Sequence, residues 1–148
     1  MSQSFVNRNE SEVEVRAGTP TDPSPFAAKA RLAFKAMVGL FAISILVQVF
    51  LAGLALFWDS ARWTSHTGFA KILIVESVLI LVISFISRMP LSIRMRSAAL
   101  FVIIVLIAAC AKLPSDIGYL SALHPVLAVM LYYGTVSLLR STGALKKD

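Results

Sequence analysis

"FKAMVGLFAISILVQVFLAGLALF", residues 34–57, runs for 24 residues with a single charge, Lys35. A helix needs about 20 residues to cross roughly 30 Å of hydrocarbon, so this block spans a bilayer without strain. Three further apolar blocks follow, Phe69 to Ser87, Ser97 to Ala111 and Ile117 to Leu139, each set off by a charged or proline-containing break. The third is short. Pro90 can open its helix, Arg94, Arg96 and Lys112 can snorkel to the head groups, and Pro114 ends it. With 57% hydrophobic residues, 15% charged residues and a mean hydropathy of +0.79, the chain reads as a membrane protein. The predicted fold is all-α: an up-and-down four-helix transmembrane bundle occupying residues 29–140.

A net charge of +6 would suggest nucleic acid as the partner of a soluble protein. Its distribution gives another reason. Lys29, Arg31 and Lys35 precede the first block, Arg88, Arg94 and Arg96 fill the second loop, and Arg140, Lys146 and Lys147 follow the last. Only Arg62, Lys71 and Lys112 fall on the other side. The positive-inside rule then places both termini and the middle loop in the cytoplasm, and no nucleic-acid partner is expected.

Residues 1–28 lack hydrophobic periodicity and hold three of the six prolines, which predicts a disordered cytoplasmic tail. Residues 141–148 form a short basic tail. With about 30 residues before the first block, a cleaved signal peptide is not expected. The lone Cys110 excludes an internal disulfide and a CxxC site and reads as a packing residue. Phosphate-binding glycine loops and hydrolase motifs are absent, so no enzyme is expected. Function must sit on the few polar groups within the spans.

Two of these are Gln48 and Glu76. Counted from Lys35 and Arg88, both lie about 18–20 Å from the cytoplasmic side, and a carboxyl group in hydrocarbon needs a partner. A Gln48–Glu76 hydrogen bond between the first two helices is expected. It serves either as a structural tie or, alternatively, as the centre of a proton pathway or small transporter. Lys71 lies about 140° around the helix from Glu76 and is expected to snorkel outward.

The chain's two histidines each head a helical stripe. His66, Leu73, Ser77 and Ser84 fall on one line, and His124, Ala128, Leu131 and Thr135 on another. Small and polar residues on a membrane helix favour close packing, so both stripes should face the bundle interior. Helices two and four run in the same direction and sit diagonally, which would let His66 and His124 act as axial ligands of heme b near the outer face. Counted from Arg88 and Arg140, however, their depths differ by about 9 Å. A kink at Pro125 would reduce that difference. The plain alternative makes both interfacial residues at helix starts, with another metal or proton role as a third.

The stretches "QVFLAGLALF" (48–57), "HTGFAKIL" (66–73) and "LHPVLAVML" (123–131) resemble a family of small bacterial four-helix membrane proteins known as a domain of unknown function. The matching positions are Gln48, Ala52, Gly53, His66, Gly68, His124 and Pro125, and the resemblance spans about residues 34–139. It implies the bacterial cytoplasmic membrane and a four-helix fold, without an activity. A weaker likeness, in architecture alone, is to b-type cytochromes. Besides the heme reading, an accessory or scaffold subunit contacting a membrane-protein partner, or a homo-oligomer, suits the apolar faces, which meet the lipid bilayer in any case.

Overall fold

The computed structural model describes residues 25–144. Four helices carry the chain: α1 (Pro25–Phe57), α2 (Trp63–Ile86), α3 (Leu91–Cys110) and α4 (Leu123–Ala144). Short 3₁₀ segments at Ser60–Arg62 and Ser115–Ala122 precede α2 and α4. α1 packs on α2 and α4, and α3 packs on the same two, which makes an up-and-down ring with α2 and α4 across a diagonal. All four helices are long and apolar enough to cross a membrane. The protein is a four-helix membrane bundle.

Helix ends differ from the apolar blocks because hydropathy falls before backbone pairing stops. α1 starts at Pro25, a residue whose fixed φ and missing N–H suit a first helical turn, so residues 25–28 are helical rather than tail. Residues 141–144 likewise continue α4. The rest of the two expected tails, 1–24 and 145–148, lies outside the described residues. α2 starts six residues before Phe69. Asp59 accepts a 3.0 Å bond from the amide of Ala61, and Thr64 and Thr67 return their hydroxyls to carbonyls one turn back, so these polar residues are absorbed by the helix. α2 ends with Arg88 at φ 48°, while the Met89 amide bonds the Ser84 carbonyl and the Arg88 amide bonds the Phe85 carbonyl. This is the Schellman pair of bonds, here built on a non-glycine residue at a cost of about 1–2 kcal/mol.

Each helix buries one stripe with alternating spacings of three and four: Phe34, Val38, Phe41 and Ile45 on α1, Leu73, Ser77, Ile80 and Ser84 on α2, Ile93, Ser97, Leu100 and Ile104 on α3, and Leu131, Thr135 and Leu138 on α4. The outward faces are apolar, with Ile43, Phe50, Val75, Phe85, Val102 and Val129 exposed, as a lipid solvent requires. The buried hydroxyls of Ser77, Ser84, Ser97 and Thr135 all donate to carbonyls of their own helices at 2.6–3.0 Å. Their contribution between helices is therefore small size and not polar attraction.

Among the described residues, hydrogen bonds between helices stay inside two hairpins. Ser44–Glu76 and Gln48–His66 join α1 to α2. His124 to Ile107 and Arg96 to Ser141 join α4 to α3, and Ser121 to Cys110 ties the preceding 3₁₀ segment to the α3 end. Across the seam between the hairpins, the guanidinium of Arg94 lies 5.4 Å from the centre of the Phe85 ring, and the His66 and His124 rings face one another.

Candidate functional site

Both histidines occupy the first turn of their helices, His66 three residues after the start of α2 and His124 one residue after the start of α4. Pro125 is the third residue of α4. Its missing N–H belongs to the donors that no helix satisfies internally, so it opens the helix and breaks no helical bond. The 9 Å offset counted from the inner charges shrinks to about two residues, or ~3 Å, when counted from the helix starts. No kink is needed. The ring centroids of His66 and His124 stand 6.3 Å apart with the planes tilted by 49°.

Each imidazole is oriented by a helix other than its own within the same hairpin. His66 Nδ1 lies 3.2 Å from the carbonyl of Gln48 on α1, and His124 Nδ1 lies 3.3 Å from the carbonyl of Ile107 on α3. A carbonyl only accepts, so both Nδ1 atoms carry the hydrogen. The Gln48 side chain fixes the other end of His66: its Nε2 donates to the His66 carbonyl at 3.0 Å and lies 3.2 Å from His66 Nε2. Turning the amide over would set Oε1 against a carbonyl. His66 Nε2 is therefore the acceptor, with its lone pair available, and Gln48 Oε1 is left buried without a partner. His124 Nε2 makes no hydrogen bond among the described residues. On its far side His66 meets Trp63 edge to face, with 5.3 Å between centroids.

The two rings line one cavity of about 340 Å³, to which all four helices contribute. Its polar lining consists of Gln48, His66, Thr67, Lys71, Lys112 and His124. The apolar wall mixes large aliphatic residues such as Ile45, Leu73 and Ile104 with Ala70, Ala108, Ala111 and Ala128, and at the alanines space is left where larger side chains would close the bundle. Lys71 is exposed, as outward snorkelling would leave it, and it also borders this cavity. His66 and the stripe below it face inward as the periodicity indicates, and so do His124, Ala128, Leu131 and Thr135.

The polar pair expected at mid-depth is different in the structure. Glu76, 7% exposed, accepts a 3.0 Å bond from the Ser44 hydroxyl, while Gln48 is engaged with His66. Ser44 and Gln48 are one helical turn apart on the same face of α1, so a depth count good to one turn could not separate them. Glu76 Oε2 is buried without a protein partner. Ser44→Ala and Glu76→Leu should couple by about 0.6–1.7 kcal/mol in a double-mutant cycle read from unfolding in detergent. Gln48→Leu and Glu76→Leu should add, and the reverse pattern would show that Glu76 bonds Gln48.

Residues 48–109 match the model of a family of unknown function, DUF6220. No curated protein and no solved structure matches the chain. The matched segment runs from Gln48 through α2 and nearly all of α3, so it includes His66, Lys71 and Glu76. His124 lies beyond it.

Proposed function

We propose that the chain is a non-catalytic b-type heme protein of the bacterial cytoplasmic membrane, with His66 and His124 as axial ligands near the outer face. The separation of the two imidazoles carries this reading. With a metal–imidazole bond of about 2.0–2.1 Å, two rings sharing one metal from opposite sides stand roughly 6 Å apart, centre to centre; here they stand 6.3 Å apart. Nδ1–H groups held by backbone carbonyls are the usual means of fixing a ligating imidazole and aiming Nε2. The donor set points the same way. Among the described residues no group of three or more His, Cys, Asp or Glu exists, so a bare ion would lack ligands. A porphyrin brings four nitrogens of its own and needs two more.

When bound, the group would supply one-electron transfer. The chain's own part is to hold and enclose it. His66 would exchange the Gln48 amide hydrogen bond at Nε2 for the metal, while Gln48 keeps the His66 carbonyl. At about 340 Å³ the cavity does not hold a macrocycle of about 40 heavy atoms as it stands, so the heme reading requires the two hairpins to move apart.

The test is spectroscopic. Detergent-purified protein titrated with hemin should develop a low-spin bis-histidine spectrum at one equivalent, with quenching of Trp63, which touches His66. A colourless protein that takes up no hemin would overturn the reading.

Orientation follows from charge. Nine cationic residues flank one side of the spans and three the other, so both termini face the cytoplasm. A reporter fused after Lys147 should be active inside and one inserted at Ser60 outside; the opposite pattern would reverse the topology and move the histidine pair to the inner face.

A further inference from the structure

We propose that Glu76 is a proton-binding site loaded from the histidine end of the bundle alone, a dead end and not a pathway across the membrane; it is independent of what the cavity holds. The Ser44 hydroxyl donates to Glu76 Oε1 at 3.0 Å, and Oε2 is buried without a partner in a residue only 7% exposed. No other ionisable group shares this level. α1 carries none between Lys35 and its end at Phe57, α3 none between Arg96 and Cys110, and α2 none between Lys71 and Arg88 apart from Glu76 itself. On α4 only Tyr132 and Tyr133 stand between His124 and Arg140, and both are exposed. An ionised carboxylate here would lack a counter-charge, and an uncompensated buried charge neutralises by taking up a proton. With Oε1 accepting from Ser44, that hydrogen sits on Oε2. A metal ion is a poor occupant, since magnesium or calcium asks for about six or more oxygens and this pair offers three.

The two routes to this carboxyl group differ greatly in length. Ile45, Leu73, Ile104 and Leu131, one from each helix, are buried and stand at the inner limit of the cavity lining, where they form its floor. Ser44 directly precedes Ile45 and Glu76 follows Leu73 by three residues, so the pair lies about one turn, or ~5 Å, below that floor. Thr67, Lys71 and Lys112 border the cavity and are exposed, and ammonium groups at such a place bring water with them. Toward the other end, Glu76 is twelve residues from Arg88, about 18 Å of helix. Phe34, Val38, Phe41, Ile80 and Leu138, each at most 1% exposed, fill that length. A close-packed apolar plug leaves no room for water. A proton therefore reaches Oε2 across one layer of side chains from the cavity, and leaves the same way.

The experiment uses dicyclohexylcarbodiimide, which dissolves in the bilayer and reacts with a protonated carboxyl group. The acid's proton passes to a nitrogen of the reagent while the carboxyl oxygen adds to its central carbon; the adduct then rearranges to a stable N-acylurea, and no group leaves. Full-length protein is labelled in sealed vesicles with the histidine end facing the medium and in vesicles of the opposite orientation, with lumen and medium buffered separately. Mass spectrometry then reads the adduct at Glu76. Labelling should fall severalfold when the compartment at the histidine end is made alkaline and should not respond to the other compartment, in both preparations. Glu76→Gln should give no adduct in α2. Labelling that follows the opposite compartment, or both, would overturn the dead end. An adduct insensitive to pH on either side, or none in the parent protein, would overturn the proton site itself. Hemin binding is read separately by absorption, so failure here leaves the heme reading standing.

Discussion

Replacing His124 with alanine should abolish the low-spin spectrum expected of the hemin-treated protein, and replacing His66 should do the same. The chain holds no third imidazole to take over the vacated position. Cys110, the last residue of α3, is a free thiol that does not line the cavity, and Glu76 is engaged with Ser44. Each single variant should therefore give at most a five-coordinate, high-spin product of lower affinity, and the double variant should bind no more hemin than an empty detergent micelle. Pro125→Ala should change little, because that proline opens α4 without bending it. A low-spin band that survives in either single variant would remove the histidine pair as the ligand set.

The largest effect on stability is expected at Gly134. A Cβ built there would stand 2.9 Å from Cδ2 of Leu100, a residue only 3% exposed, so α4 and α3 approach as closely as a bare backbone allows. Gly134→Ala forces a small shift of the leucine. Gly134→Leu inserts three more carbons into a filled seam, and such overpacking typically costs about 1–3 kcal/mol. In a membrane the penalty is not offset by burying more apolar surface, since lipid tails are as apolar as the side chain. The unfolding midpoint in detergent should fall for Gly134→Leu and fall less for Gly134→Ala. Equal midpoints for all three proteins would mean that the helices separate freely at this point.

Much of this arrangement is legible in the residues. Block length set the number of helices, and the spacing of Leu73, Ser77 and Ser84, or of Ala128, Leu131 and Thr135, told which faces turn inward. Both histidines fell on those faces. What the sequence left hidden was axial position. Lys35 and Arg88 were poor depth marks because long, flexible cationic side chains do not fix the level of their own backbone. One turn of error exchanged Ser44 for Gln48 as the partner of Glu76 and made the histidines look about 9 Å out of step. The helix starts at Trp63 and Leu123 are the better reference. They were obscured because Thr64, Ser65 and Thr67 lower the hydropathy of a segment that is nevertheless helical.

The division of hydrogen bonds into two hairpins has a consequence for how the protein is made. Each hairpin carries its own polar fasteners, Ser44–Glu76 and Gln48–His66 in the first, His124–Ile107 and Arg96–Ser141 in the second. During synthesis the first pair of helices can leave the insertion machinery already latched, before the second pair has emerged from the ribosome. The later pair then has only to slide against it in the plane of the lipid, guided by shape and dispersion forces. His66 arrives with the first half and His124 with the second. The pairing of the two histidines is thus the last thing to form, and its appearance would report that biogenesis is complete.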